Sequence, residues 1–357
     1  MTQAHKEAAF EESIEKQLVD NGWLQGDSAT YDRTMGLDPS ELFAFIAATQ
    51  PVEWDKYVSL QGGEVAARAK AAKRIGDEIT SRGMIDVIRR GVKDTGTLFR
   101  LAYFAPAHEL TPELRGLYEA NRLSVVRQAH VSESNPADSV DLLLLLNGLP
   151  VATAELKTQF TGQNVENAIE QYRVDRNPSD LIFRERSLVH FAFDQDNVSM
   201  TTKLAGRETV FLPFNLGSAG PGNDGGLGNP INPHGARTAY LWEQVWQRDN
   251  WLNLLASFIH VSEVRDKAGK KTGKKFTIFP RFHQWDAVNK LLDATKVEGP
   301  GFNKLIQHSA GSGKSNTIAW LAHGLSRLHS PANESLIEKS MRDAGIGANV
   351  PIFERSL

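Results

Sequence analysis

The sequence predicts an α/β protein, in which a mixed sheet flanked by helices is followed by a second unit built on a phosphate-binding loop. Segments predicted as helix, strands, helix and strands alternate over residues 1–265, which is the order of one layered sheet domain. An apolar hairpin at 140–157 is expected near the centre of that sheet. A glycine-containing loop at 308–317 precedes a predicted helix, and such a helix N-terminus favours bound phosphate.

Composition limits the class of protein without naming a function. The chain has 357 residues, enough for two or three domains, and 41% of them are hydrophobic. No apolar run reaches the roughly 18–20 residues of a membrane span, and the first residues lack a signal-peptide pattern. The absence of cysteine excludes disulfides and thiolate metal sites and fits a cytoplasmic location. With a net charge of −3, a DNA enzyme would have to concentrate its positive charge locally.

Apolar residues at helical spacing predict the helices of the first unit. The predicted helices are 9–23, one that begins at Asp38 with Pro39 in its first turn, 62–80, 164–172 and 240–260. In the helix 62–80 we expect an inward side formed by Val65, Ala69, Ala72, Ile75 and Ile79. Its other side carries Arg68, Lys70, Lys73 and Arg74, which either follow DNA phosphates or form an ordinary solvated face.

Runs of apolar and β-branched residues predict the strands. They cover 98–104, 123–128, the hairpin 140–157, and a second hairpin formed by 187–193 and 198–204. Residues 217–235 are rich in glycine, asparagine and proline and are expected to form a long loop. The basic, glycine-containing stretch 266–275 is expected to be a linker. The unit 276–357 would then contain a helix at 284–292, a strand at 304–307 and a helix at 316–325.

The hairpin 140–157 carries the residues expected to do chemistry. Asp141 opens its first strand, and Glu155 and Lys157 close the second. Hydrolysis of a phosphodiester requires an activated water and neutralised phosphoryl oxygens, which Mg²⁺ held by carboxylates can supply. A nearby lysine can stabilise the transition state or help to deprotonate the water. The spacing alone is common, however, and also fits charged residues at strand ends that have no catalytic role.

The register of this hairpin decides whether the two acids meet. A strict two-residue turn at Asn147 and Gly148 would place Asp141 opposite Ala154, so that Glu155 pointed to the other side of the sheet. A shared site therefore requires a loop of odd length or a β-bulge. Because Pro150 cannot donate a ladder hydrogen bond, an irregularity near the turn is favoured.

The run VDLLLLLNGLPVATAELK at 140–157 resembles the PD-(D/E)xK nuclease motif of the restriction (motor) subunit of type I restriction–modification enzymes. The resemblance extends to NRLSVVRQ at 121–128, FLPFN at 211–215, YLWEQVW at 240–246 and FPRFHQ at 279–284. It implies a PD-(D/E)xK endonuclease domain over 1–265, with Asp141 and Glu155 as metal ligands and Lys157 as a catalytic residue.

Two positions depart from the family pattern. The family's aspartate often follows a proline, but here Val140 precedes it. Related nucleases often carry Gln-x-x-x-Tyr in the next helix, whereas here Gln171 is followed by Asp175 at the tyrosine position and Tyr172 lies beside it. We therefore assign a catalytic role to Gln171 and none to the tyrosine.

The resemblance also implies an activity and partners. We expect Mg²⁺-dependent cleavage of double-stranded DNA. A specificity (S) subunit would supply sequence recognition, a methyltransferase (M) subunit protection, and ATP-driven translocation would bring DNA to the nuclease.

The N-terminal helix raises a related question. Its acidic residues lie off the apolar side formed by Phe10, Ile14 and Leu18. Either they form a solvated first turn, as is usual at helix starts, or one of them faces the metal site. The residues concerned are Glu11, Glu12 and Glu15.

The loop at 308–317 predicts nucleotide binding. Gly311 and Gly313 allow backbone N–H groups to approach phosphates, Lys314 would contact the β- and γ-phosphates, and Ser315 would bind Mg²⁺. His308 stands where the full pattern has glycine. The preceding Gln284 resembles the adenine-reading glutamine of superfamily 2 helicases, although a surface glutamine at a helix start is an equal alternative. The expected cofactors are Mg²⁺ and ATP.

No Asp-Glu-x-His segment or arginine-finger motif follows Lys314. We therefore expect 276–357 to hold only the start of a first RecA-like helicase domain, and the chain alone to be unable to translocate on DNA. Two alternatives remain from the sequence. One is a fragment of an ATP-dependent helicase or translocase whose N-terminal domain only binds DNA. The other is an inactive remnant.

Overall fold

A computed structural model describes residues 3–106, 112–159, 162–266, 268–299, 301–309 and 311–328. Residues 329–357, which form the end of the predicted second unit, lie outside the described residues. None of the described helices is both long enough and apolar enough to cross a membrane.

A seven-stranded mixed sheet forms the centre of the fold, with the strand order β1-β4-β5-β6-β7-β8-β9. The β1–β4 and β6–β7 pairs are parallel and the other neighbours are antiparallel. The predicted mixed sheet with flanking helices is thus confirmed. The strands are β1 (Leu24–Gln25), β4 (Leu123–His130), β5 (Ser139–Leu146), β6 (Leu149–Leu156), β7 (Val189–Phe193), β8 (Val198–Thr201) and β9 (Leu212–Pro213).

The apolar hairpin β5–β6 lies in the middle of this sheet because both of its faces are covered. Leu142 and Leu144 belong to one buried cluster, whereas Leu143 and Leu145 belong to a second cluster on the other side. A strand that is buried on both faces has a continuous apolar sequence instead of an alternating one. This explains the five consecutive leucines at 142–146.

Helices surround the sheet. The α-helices are α1 (Gln3–Asp20), α2 (Pro39–Thr49), α3 (Pro51–Gln61), α4 (Glu64–Arg82), α5 (Met84–Arg90), α6 (Pro112–Glu119), α7 (Val165–Glu170), α8 (Arg248–Asn253), α9 (Phe282–Glu298) and α10 (Lys314–Leu325). Single π-helical turns occupy Gln171–Asp175, Ile182–Arg186, Leu241–Val245 and Leu254–Phe258. The predicted helix 240–260 is therefore broken into three short pieces, and its last residue begins a strand. The predicted start at Asp38 is confirmed, since its side chain caps α2.

The inward side of α4 differs partly from the prediction. Ala72, Ile75 and Ile79 are buried as expected, but Val65 and Ala69 are exposed. Val65 lies in the first turn, before the buried stripe begins, and Ala69 lies on the side opposite to it. Ala67 and Ala71, each four residues from the next member of the stripe, take the inward positions.

The basic side of α4 is balanced by neighbouring acids. Arg68 pairs with Glu64 at 2.6 Å and Lys73 with Asp77 at 2.7 Å, each pair one helical turn apart. Arg74 makes the same kind of pair. This arrangement favours the solvated-face alternative over a surface that follows phosphates.

Two sequence predictions about strands are wrong in part. Within 98–104 only β3 (Thr97–Phe99) forms, and it pairs with β2 (Val92–Asp94) in a separate two-stranded sheet. The predicted linker 266–275 is instead the turn and the first half of a hairpin between β10 (His260–Arg265) and β11 (Lys271–Ile278). Its lysines suggested a solvated linker, but Lys271 pairs with Glu263 across the hairpin at 3.1 Å. The loop 217–235 contains no helix or strand, as predicted.

The second unit is only partly as predicted. Helices α9 and α10 contain the predicted segments 284–292 and 316–325 and pack on each other. The predicted strand 304–307 is wrong: the segment has no regular structure, and Leu305 is 92% exposed. No described strand lies beside it to pair with. Trp285 and Trp320 join the same buried cluster as the leucines of the hairpin.

Candidate functional site

The hairpin turn follows its sequence signal. Asn147 and Gly148 both have positive φ, at 52° and 77°, and they join Leu146 to its partner Leu149. This is the backbone of a two-residue hairpin turn with both central residues left-handed. A side chain at 148 has no room, because a Cβ there would lie 2.3 Å from the carbonyl oxygen of Asp38.

The register of the hairpin changes after the turn. It shifts by one residue on the β6 side, next to Pro150. Beyond the shift Leu142 pairs with Ala154, so that the next position along the hairpin, Asp141, lies opposite Glu155. The irregularity required by a shared site is thus confirmed as a β-bulge, although the turn itself keeps two residues.

Asp141 is buried and held by two hydrogen bonds. The backbone N–H of Leu156 donates to Asp141 Oδ2 at 2.8 Å, and Gln128 Nε2 donates to Oδ1 at 3.1 Å. Gln128 has a left-handed backbone with φ of 47°, which is uncommon for a residue with a side chain. Its amide also donates to Glu11 Oε1 at 3.0 Å and accepts from the Ser139 hydroxyl.

Glu155 is fully buried and paired with an arginine from the segment after α7. Arg176 Nε donates to Glu155 Oε1 at 2.6 Å, and Arg176 Nη2 donates to the carbonyl of Ser139 at 2.6 Å. Glu155 Oε2 has no hydrogen-bond partner. Burial, and next the charge of Asp141, raise the pKa of Glu155 well above its ordinary value, while Arg176 opposes the rise.

Lys157 lies in the field of the same acids. Its Nζ donates to Glu7 Oε1 at 2.7 Å, and only 11% of its side chain is exposed. Burial alone would lower the pKa of Lys157, but Asp141, Glu7 and Glu155 outweigh it and the pKa is raised. Lys157 is therefore a fixed positive charge at neutral pH.

An acidic stripe of α1 covers this end of the hairpin. Glu7, Glu11 and Glu15 are spaced by four residues and so lie along one side of the helix, where Glu11 and Glu15 are buried. Burial, followed by Asp141, raises the pKa of Glu11 to about 7. The solvated-turn alternative is wrong for these residues and holds for Glu12, which is exposed. The stripe contacts Lys157, Gln128 and Arg127.

The pair Asp141 and Glu155 fits a magnesium ion. Among the described residues, no three histidine, cysteine, aspartate or glutamate side chains are grouped to hold a metal. Mg²⁺ commonly takes only one or two protein carboxylates and completes its shell with waters and substrate phosphate oxygens. A buried Glu155 oxygen without a partner, beside a second carboxylate, has the chemistry of such a ligand pair.

Gln171 is not among these polar contacts. It is half-buried, and its side chain makes no hydrogen bond within the described part of the chain. The neighbouring Tyr172 is fully buried and shares a hydrogen bond of 2.8 Å with Thr153 Oγ1, which in turn contacts His190 Nδ1 at 2.7 Å. A catalytic role for Gln171 stays a prediction.

The phosphate-binding loop lies at the start of α10, as the sequence indicates. Gly313 has a φ of 85° and precedes Lys314, the first residue of the helix. Lys314 Nζ donates to the carbonyls of His308 and Ser309 at 2.9 and 3.1 Å. Lys314, Ser315 and Gly311 are exposed, so this lysine is folded over the loop in a position that phosphate oxygens can take.

Gln284 connects α9 to this loop. It is only 4% exposed, which excludes a surface glutamine. Its Oε1 accepts from the N–H of Arg281 at 2.9 Å, and its Nε2 donates to the carbonyl of Gly313 at 2.9 Å. Adenine recognition by Gln284 stays a prediction, but the side chain is next to the nucleotide loop.

Three residues of the site were missed in the sequence. Arg176, Gln128 and Glu7 reach the hairpin from other elements, and nothing local in their neighbourhoods marks them. The available signal was indirect, since buried acids require cations or hydrogen-bond donors. That requirement does not say which arginine or glutamine supplies them.

Comparison with known proteins gives one family match. Residues 114–212 match the model of the family described as type I restriction enzyme R protein N terminus (HSDR_N). No curated protein matches the chain. The matched segment includes β4, β5, β6 and α7. The part of the chain that contains Asp141, Glu155, Lys157 and Gln171 is therefore similar to the N-terminal region of type I restriction R proteins.

Proposed function

We propose that the chain is a Mg²⁺-dependent endonuclease that cleaves double-stranded DNA as part of a type I restriction system. The observation that carries the proposal is the meeting of Asp141, Glu155 and Lys157 at one end of β5 and β6. Asp141 lies opposite Glu155 through the bulge and accepts the N–H of Leu156, the residue between Glu155 and Lys157. The family match over 114–212 supports the same function.

Each residue of the site has a distinct task in this proposal. Asp141 and Glu155 would hold Mg²⁺, which neutralises charge on the phosphate and activates a water. Lys157 would stabilise the phosphoryl oxygens in the transition state. Its raised pKa favours this role over deprotonation of the water, because a base must lose its proton near the working pH. Gln128 and the N–H of Leu156 orient the Asp141 carboxylate.

The second unit would bind ATP. Gly311 and Gly313 give backbone access to phosphates, Lys314 would exchange its two carbonyl contacts for β- and γ-phosphate oxygens, and Ser315 would bind Mg²⁺. Gln284 would contact the adenine. The family match further suggests a cytoplasmic complex with methyltransferase (M) and specificity (S) subunits.

Cleavage of supercoiled plasmid by the purified chain tests this function. With Mg²⁺ we expect nicked and linear products, and none with EDTA. Lys157→Ala should remove cleavage while an electrophoretic shift of double-stranded DNA persists. If wild type and variant both bind DNA and neither cleaves it with Mg²⁺ or Mn²⁺, the chain is a DNA-binding part of a translocase and not a nuclease.

A further inference from the structure

The ion pair between Arg176 and Glu155 occupies one of the two predicted metal ligands. Arg176 Nε lies 2.6 Å from Glu155 Oε1, and the two side chains are 7% and 0% exposed. The same guanidinium donates to the carbonyl of Ser139 at the start of β5. Arg176 therefore bridges the two strands that carry the acids, from a position 21 residues after Glu155.

The charges around the site do not balance. Five carboxylates contact or face this end of the hairpin, and only three cations pair with them. Lys157 pairs with Glu7, Arg127 with Glu11 and Glu15, and Arg176 with Glu155. Asp141 has hydrogen bonds but no ion-pair partner among the described residues. The formal excess is two negative charges, which equals the charge of one divalent cation.

A guanidinium and a divalent cation compete for a single buried carboxylate. Two positive charges a few ångströms apart repel strongly in a site that excludes water. Removing either partner of a buried ion pair leaves an uncompensated charge, which is strongly destabilising. Arg176 thus lowers the cost of keeping Glu155 and Asp141 together without metal, and it also opposes metal entry.

We propose that Arg176 is a positioning residue that holds Glu155 in place of a metal and sets the affinity of the site for a divalent cation. Only Glu155 Oε2 is left without a partner, so an ion would bind through this oxygen and Asp141 while Arg176 keeps Oε1. This inference rests on the proposed metal site at Asp141 and Glu155.

The test compares full-length wild type with Arg176→Gln and Arg176→Lys. Mn²⁺ affinity is measured by isothermal titration, and Tm is measured in EDTA and in saturating Mn²⁺. For Arg176→Gln we expect a lower Tm in EDTA, Mn²⁺ binding tighter by about tenfold, and a larger rise of Tm on adding Mn²⁺. Arg176→Lys, which keeps the charge but cannot bridge both strands, should move each quantity less and in the same direction. Arg184→Gln, which removes an exposed partner of Glu185, is the matched control and should leave Mn²⁺ binding unchanged.

A purely structural Arg176 gives a different result. In that case Tm would fall equally with and without Mn²⁺, and Mn²⁺ affinity would be unchanged or weaker; either finding overturns the inference. If Arg176→Gln does not fold, unchanged Mn²⁺ affinity in Arg176→Lys overturns it as well. Asp141→Asn separates the two proposals. Mn²⁺ binding that is insensitive to Asp141→Asn removes the proposed metal site itself, whatever Arg176 does.

Discussion

The N–H of Leu156 donates a 2.8 Å hydrogen bond to Asp141 Oδ2 across the central hairpin. The bond joins the acid at the start of β5 to the backbone between Glu155 and Lys157. Because the donor is main chain, substitution of the side chain at 156 does not remove it. The three residues of the proposed site are therefore held together by the sheet itself, and side-chain substitutions can test their roles separately.

Lys157→Ala should reduce DNA cleavage by about 100-fold or more, because a fixed positive charge near the transition state is lost. Double-stranded DNA binding should change little. Plasmid cleavage and fluorescence anisotropy measure the two quantities. Lys16→Ala, which removes an exposed pair with Asp20 on the same α1 surface region, is the control. Equal cleavage by Lys157→Ala and Lys16→Ala would remove Lys157 from the mechanism.

Gly148→Ala should destabilise the fold far more than Gly96→Ala. Both glycines have positive φ, at 77° and 79°, so each alanine is strained by about 1 kcal/mol. Only at 148 would the new Cβ also meet backbone atoms, Asp38 O at 2.3 Å and Leu42 N at 2.7 Å. Overpacking of this kind adds roughly 1–3 kcal/mol. The free energy of unfolding in urea measures the difference, and similar losses at the two positions would contradict the tight packing of the turn against α2.

Glu11→Gln should flatten the dependence of stability on pH in metal-free buffer. The pKa of Glu11 is raised from 4.5 to about 7 in the folded chain, so the folded state binds the proton more tightly than the unfolded state. This contribution to stability is complete below pH 4.5 and is lost as pH rises through 7. Allowing for solvent screening, the loss is roughly 2 kcal/mol.

Glu12→Gln is the matched control for this prediction, because Glu12 is the exposed neighbour on the same helix. Unfolding free energies measured between pH 4.5 and 8 should show the slope in wild type and Glu12→Gln and a smaller slope in Glu11→Gln. Identical slopes in all three would mean that Glu11 is not desolvated beside Asp141.

Lys314→Ala should weaken binding of a fluorescent ATP analogue by about tenfold or more, because a charged contact to the phosphates is removed. Lys304→Ala, which removes only an exposed pair with Glu298, should bind the analogue as wild type does. Fluorescence titration in Mg²⁺ measures both. If the two variants bind equally well, the loop before α10 is not a nucleotide site.

Local sequence signals predicted the hairpin but not its surroundings. The leucine run and the Asn147–Gly148 turn gave β5 and β6, and the need for a shared site predicted the bulge. Arg176 and Glu11 could not be assigned, because their positions depend on how α1 and the segment after α7 pack against the sheet. Composition also misled at 266–275, where the lysines that suggested a linker pair across the β10–β11 hairpin.

The most direct test of the proposed function is Mn²⁺ binding measured by isothermal titration in metal-free buffer. We expect one site in wild type, and binding weaker by about tenfold or more in Asp141→Asn and in Glu155→Gln, since each substitution removes one carboxylate ligand. Unchanged Mn²⁺ binding in both variants would contradict a shared divalent cation between Asp141 and Glu155.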